Sequence, residues 1–255
     1  MSLTSVWEGD DASFLSAAIP FYTGREAFEL SILDATANTG KIWKGTGVKP
    51  DTMDSDPRYA SNYICDNREM PGVPDGSYDL LVYDPPHFGN SGREKSNKGF
   101  DVRFGCGVTT SKAENYTMSF LYPGFLASAM RVLRREGLVM AKITDQVHNH
   151  RSRWAHVDFI KMAESAGFLV CDLIVKVRKG PMMSSKWQNL HHARKRHTFW
   201  IILRNSLSCE RTVQQPRPQP GRYSCPVHGP IPHGSRCLSC DRKSVPPPVA
   251  VEGQT

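Results

Sequence analysis

The sequence predicts an α/β domain built on a mostly parallel sheet, followed by a small cysteine-bearing module. Three observations predict it. Short apolar runs alternate with helically spaced apolar residues as far as Arg204. Composition then breaks into the Pro-rich segment RTVQQPRPQPGR. Several of the apolar runs end in aspartate, where an α/β sheet carries its ligand.

Taken in order, apolar runs bounded by Gly, Pro and Asp predict strands at 31–35, 48–54, 62–65 and 79–84. Phe120, Leu121, Phe125, Ala129 and Leu133 recur at helical spacing, with Pro123 near the start and Gly137 as a stop. A strand follows at 138–144. Trp154, Val157, Ile160 and Ala163 then predict an amphipathic helix closed by Gly167. Strands at 168–177 and 197–203 bring the total to seven, interleaved with helices. The expected organisation is a domain over 1–210, a linker over 211–222, a metal module over 223–242 and a disordered tail over 243–255.

Composition excludes several classes. No apolar run approaches the roughly 20 residues of a membrane span. The opening MSLTSVWEGDD is acidic and lacks the apolar core of a secretory signal. Seven cysteines, three of them within 225–240, suit a reducing cytoplasm and a metal site better than a disulfide framework. Lys plus Arg number 32 against 25 acidic residues, a net +7. Between Asp172 and Glu210 there is no acidic residue but there are eight Lys and Arg, among them Arg194, Lys195 and Arg196. Such a block favours a polyanion, most simply nucleic acid, or is a solvated basic face. The basic, Gly-rich segment 89–115, which includes Arg93, is long for a connection and is expected to face substrate.

The chemistry-bearing patterns are local. In SILDATANTGK an apolar run ends in Asp34, and a loop of small residues through Thr36 and Asn38 reaches Gly40. Small residues let backbone approach a ligand, and Gly and Asn tolerate positive φ. Asp54 ends the next run and could accept from ribose hydroxyls or cap a following helix. Asp66 follows NYIC as a turn residue or a ligand contact. In DLLVYDPPHFG an apolar run delivers Asp84 to Pro85-Pro86, then His87 and Phe88. Two prolines remove two backbone donors, so the turn offers a carboxylate and carbonyls only, an acceptor surface suited to an –NH₂ group. Beside it, His87 or Phe88 could stack on that group's ring.

The ordered set Asp34…Gly40, Asp54, Asp66 and Asp84-Pro85-Pro86-His87 resembles the class I S-adenosylmethionine-dependent methyltransferases. More narrowly, it is similar to the amino-methyltransferases acting on exocyclic nitrogens of bases. Their signature is Asp/Asn/Ser-Pro-Pro-aromatic after a loop of the type Asp-Pro-x-x-Gly-Ser-Gly. The resemblance covers roughly residues 20 to 204 and implies a Rossmann-like seven-stranded sheet with helices on both faces. It implies that Asp34, Thr36, Asn38 and Gly40 line the cofactor's methionine moiety, Asp54 its ribose and Asp66 its adenine amine. It also places Phe21, within Pro20–Gly24, in a further cofactor-contacting segment. Asn38 stands where that loop carries Gly, and His87 where the signature carries Tyr, Phe or Trp. The expected activity is methyl transfer from S-adenosylmethionine to adenine N6 or cytosine N4 in DNA. Asp84, Pro85, Pro86 and His87 are then catalytic, and Phe88, Arg93, Arg194, Lys195 and Arg196 contact substrate. Alternatives are an RNA base amine, a protein glutamine amide, or a non-catalytic zinc-containing nucleic-acid binder.

In the tail, Cys225-x-x-His228 and Cys237-x-x-Cys240, eight residues apart, give two chelating pairs for tetrahedral zinc. His233 is a substitute for His228. With few apolar residues, this segment is expected to depend on the metal for its fold.

Overall fold

The computed structural model describes residues 2–86, 121–148, 151–180, 193, 195–206, 224–225 and 229–230. The chain divides into two compact units, Met1–Ser208 and Cys209–Thr255.

The first unit runs β1 (Val6–Trp7), α1 (Asp11–Thr23), β2 (Ile32–Asp34), β3 (Asp51–Asp54), β4 (Tyr63–Ile64) and β5 (Tyr78–Tyr83). It continues through α2 (Tyr122–Val132), β6 (Leu133–Ile143), a hairpin of β7 (Gln146–His148) and β8 (Arg151–Arg153), α3 (Ala155–Ala166), β9 (Leu169–Val177) and β10 (His197–Arg204). Eight strands form one sheet in the order β1-β9-β10-β6-β5-β2-β3-β4. All neighbours are parallel except β10, which is antiparallel to both β6 and β9. Strand order reverses at β2, which has β3 on one side and β5 on the other. The carboxyl ends of β2 and β5 therefore flank a topological switch point, where open α/β sheets bind ligands.

Alternating residues of β5 show how the sheet is covered. Leu81 and Tyr83 enter a core with Phe125 and Ala129 of α2 and Phe159 and Ala163 of α3. Leu80 and Val82 enter a second core with Phe14, Leu15, Ala18 and Ile19 of α1, together with Trp200. Helices thus cover both faces, and strands buried on both sides read as near-continuous apolar runs. Tyr83 stacks on Phe125 with ring centroids 3.6 Å apart, both rings fully buried.

The structure adds to and corrects the expected elements. The sheet has eight strands because Val6–Trp7 pairs with Val175 and Lys176, a segment too short to show a period. Helix α1 was absent from the expectation. Asp10 caps it, accepting the Ser13 N–H at 2.7 Å, and Gly24 closes it at φ 67°. Pro20 lies inside this helix. Gly137 is not a helix stop: α2 ends at Val132, and Leu133 pairs directly with Tyr78. The ladder is irregular between Tyr78/Leu133 and Leu80/Leu138. There the Glu136 N–H donates to the Asn205 carbonyl and the Asn205 N–H to the Gly137 carbonyl. Gly167 closes α3 as expected, at φ 97°.

No helix among the described residues is long and apolar enough to cross a membrane. In the second unit the described residues form two antiparallel two-residue strands, β11 (Ser224–Cys225) and β12 (Gly229–Pro230).

Candidate active site

The site is assembled from four strand ends joined by side chain-to-backbone bonds. Asp34 ends β2 and is fully buried. Its Oδ1 accepts the Thr36 N–H at 3.0 Å and its Oδ2 accepts the Trp43 indole N–H at 2.7 Å. Burial pushes its carboxyl up to about 6; the bonds from Thr36 and Trp43 oppose this, and the negative charge of Asp84 adds to it. The Thr36 hydroxyl then accepts the Asp84 N–H at 2.7 Å, fastening the ends of β2 and β5 together across the switch point. The loop turns back at Asn38 and Gly40, with φ of 45° and 64°. Asn is among the few non-glycine residues that visit this region routinely. Space beside the Gly40 Cα is open.

The next two aspartates hold the rim. Asp54 Oδ2 accepts the Asn38 N–H at 2.8 Å and its Oδ1 accepts the Asp56 N–H at 2.9 Å. Asp66, after β4, accepts the backbone N–H and guanidinium of Arg68. The Arg68 side-chain bond holds the Asp66 carboxyl below its ordinary value. Beside it, the Asn67 amide donates to the Ala35 carbonyl at 3.0 Å, joining the β4 end to the Asp34 loop. Asp34, Thr36, Asn38, Gly40, Asp54 and Asp66 therefore form one connected rim.

Asp84 continues from β5 into buried Pro85 and half-buried Pro86. Neither proline has an N–H, so beyond the Asp84 amide the turn presents acceptors only. One carboxylate oxygen of Asp84, Oδ2, accepts from Lys142 Nζ at 3.0 Å. The same ammonium reaches Asp11 Oδ2 at 3.0 Å, and Asp11 Oδ1 pairs with Lys176 Nζ at 2.6 Å. Trp200 Nε1 also donates to Asp11, at 3.3 Å. Lys142 is largely buried, which acts to lower its pKa, but the Asp84 and Asp11 carboxylates outweigh this and raise it. For Lys176 burial prevails and its pKa falls.

Sequence reasoning did not single out Lys142, Asp11, Trp43 or Trp200, and it read Lys176 only as part of the basic run before Arg204, whereas Lys176 pairs with Asp11 from within β9. For Lys142 the available signal was one charge in the apolar run LVMAKI, where a cation persists only with a partner. A second pair, also unanticipated, lies at the end of β6. Asp145 is buried and its Oδ1 meets His156 Nδ1 at 2.7 Å, with the imidazole stacked on Phe199.

Other expected residues are not joined to this rim. Phe21 is exposed in the last turn of α1, packed edge-on against Tyr22. Helix α1 begins at Asp11 beside the carboxyl edge and runs away from it, so Phe21 lies toward the amino ends of the strands. Lys195 Nζ sits 4.7 Å from the ring centroid of Trp154, and the exposed Arg196 donates to the Lys179 carbonyl. His87, Phe88, Arg93 and Arg194 lie outside the described residues, as do His228, Cys237, Cys240 and the side chain of Cys225. Among the described residues no group of three or more His, Cys, Asp or Glu is placed to hold a metal ion.

No family model matches the chain, and no curated protein does. Solved structures superpose on parts of it. One is a candidate DNA modification methylase from Thermus thermophilus in complex with S-adenosyl-L-methionine. It is 14% identical, with a TM-score of 0.36 over 55% of this chain and 52% of that one. Another is 1,6-didemethyltoxoflavin-N1-methyltransferase from Burkholderia thailandensis with S-adenosylhomocysteine, 14% identical, TM-score 0.44, covering 76% and 77%. A candidate sarcosine dimethylglycine methyltransferase from Galdieria sulphuraria is 13% identical, TM-score 0.46, covering 76% and 85%. The chain spans about half the length of the first of these.

Proposed function

We propose that the protein is an S-adenosylmethionine-dependent methyltransferase acting on an exocyclic amine of a nucleic-acid base, adenine N6 or cytosine N4 in DNA. The observation that carries the reading is the acceptor-only turn Asp84-Pro85-Pro86 at the end of β5, fastened through Thr36 to the buried Asp34 across the switch point.

The residues present fit the cofactor. It is cationic at its sulfonium and its ammonium, and the rim carries Asp34, Asp54 and Asp66 at the ends of three adjacent parallel strands. The open space at left-handed Gly40 leaves room for close approach of a ligand to backbone. Asp34, Thr36, Asn38 and Gly40 would hold the methionine moiety, Asp54 the ribose hydroxyls and Asp66 the adenine amine. When bound, the cofactor supplies an electrophilic methyl group.

The chain's own contribution is positioning and electrostatics. An exocyclic amine is a poor nucleophile because its lone pair is delocalised into the ring. Its two hydrogens, donated to the Asp84 carboxylate and the Pro85 carbonyl, favour a more tetrahedral nitrogen with the lone pair free to react. His87 or Phe88 would stack on the base. The base must be flipped out or already single-stranded, because a duplex hides this nitrogen. Arg93, Arg194, Lys195 and Arg196 would track phosphates, which fix register without reading sequence.

For the second unit we propose tetrahedral zinc on Cys225, His228, Cys237 and Cys240. The support is their spacing, two pairs each separated by two residues, as in tetrahedral zinc sites.

Asp84→Ala tests the catalytic assignment. Transfer of labelled methyl into nucleic acid should fall to background, while calorimetry shows cofactor affinity within a few-fold of the parent. Undiminished transfer by this variant removes Asp84 from the chemistry.

A further inference from the structure

Methyl transfer to an aromatic amine asks two things of Asp84: that its carboxylate be ionised and that one oxygen be aimed at the incoming nitrogen. Several groups act on it. Asp34 lies on β2, buried and negative when ionised. Lys142 on β6 places its ammonium 3.0 Å from Oδ2. Asp11 on α1 and Lys176 on β9 lie one and two contacts further on. These charges alternate along the chain Asp84–Lys142–Asp11–Lys176, two carboxylates and two ammoniums with no net charge. Lys142 is placed there by register. It pairs with Trp200 on β10, and it emerges beside Met140 on the sheet face that α1 covers. Asp11 is the first residue of α1, whose cap is Asp10, so this helix delivers its carboxylate to the same edge.

We propose that Lys142 is the positioning residue of the reaction: its ammonium, anchored by Asp11, fixes Asp84 Oδ2 and keeps the carboxylate ionised as a hydrogen-bond acceptor for the amine. The proposal rests on the reading of Asp84 given above and adds a division of labour. Lys142 holds Oδ2, and Asp84 meets the substrate amine as an acceptor. A carboxylate held on an ammonium in this way is a weak base, so Asp84 orients the amine rather than taking its proton, which leaves the methylated nitrogen for water after transfer. Asp11 acts one step back. By sharing the ammonium it keeps Lys142 in place, and it couples the segment before β2 to the reacting turn.

The test is made on the full chain with aspartate labelled by ¹³C at its side-chain carboxyl. The Asp84 resonance is assigned by its loss in Asp84→Asn. In Lys142→Met, which keeps the length and apolar stem, the Asp84 midpoint should rise by about 1 to 3 pH units relative to the parent, the usual effect of losing an adjacent cation. In Lys142→Arg it should move little, and in Asp11→Asn it should not rise, because a like charge is removed while the amide oxygen still accepts from the Lys142 ammonium. Near-UV circular dichroism verifies folding; were Lys142→Met to unfold, Lys142→Gln serves in its place. In transfer assays, Lys142→Met should lower kcat while leaving cofactor affinity within two-fold, shift the acid limb with the Asp84 midpoint, and be rescued by Arg. An Asp84 midpoint that coincides in parent and Lys142→Met overturns the proposal, as does unchanged kcat in an active enzyme. A parent that transfers no methyl, with the midpoint still shifted in Lys142→Met, refutes the reaction assigned to Asp84 while upholding Lys142's hold on it.

Discussion

Asp34 makes the protein's stability depend on pH in a direction opposite to that of most carboxylates. Its carboxyl rises from 3.8 to about 6 because it is buried. The folded state therefore holds a proton that the unfolded chain has released. Stability from this group is fully present below the unfolded value and is lost as pH rises through about 6. A shift of about 2 units at 1.36 kcal/mol each amounts to about 3 kcal/mol. Asp34→Asn removes the titration and keeps the shape. It also leaves one of two N–H donors, from Thr36 and Trp43, without its acceptor, a cost of about 1–3 kcal/mol that does not vary with pH. The readout is therefore the slope. Urea unfolding of both proteins between pH 4 and 7.5 should show the parent losing about 3 kcal/mol relative to Asp34→Asn, mostly between pH 4 and 6. A difference that stays flat across this range refutes the claim that burial governs this carboxyl.

Three further outcomes are expected. Trp43→Phe leaves Asp34 Oδ2 without its indole donor, and urea unfolding above pH 6 should show a loss of about 1–3 kcal/mol that shrinks on acidification. Phe125→Ala removes the ring stacked on Tyr83 in a fully buried core and should cost about 3–5 kcal/mol by the same assay. Elemental analysis of the purified full chain should find about one zinc per molecule, the number expected for a four-ligand structural site. A content near zero contradicts the metal assignment, and a chelator should leave the first unit folded.

The strand ends were legible because each is written locally. An apolar run, an aspartate and a small-residue loop lie within ten residues at Asp34, and the same holds at Asp84 with its two prolines. Burial on both sheet faces makes such runs continuous, so their type was plain even where boundaries moved by a few residues. The left-handed turn at Asn38 was legible for the same reason. The ion chain was not. Lys142 meets Asp84 across 58 residues and Asp11 across 131, and only the register of β6 with its neighbours brings them together. Helix α1 was hidden by Pro20, which normally argues against a helix interior. Strand β6 begins earlier than its apolar run because Leu133 pairs with Tyr78 before an irregularity in the ladder that local pattern does not show. Phe21, which the resemblance places in a cofactor-contacting segment, lies in the last turn of α1, edge-on to Tyr22, whose hydroxyl donates to Asp172.

The most direct measurement of the central claim is to incubate the purified protein with methyl-labelled S-adenosylmethionine and separate pools of DNA and RNA, then digest and identify the labelled nucleosides. Label is expected in N6-methyladenine or N4-methylcytosine from DNA. Label confined to RNA nucleosides would move the substrate, and label in neither pool despite measured cofactor binding would contradict base methylation by this protein.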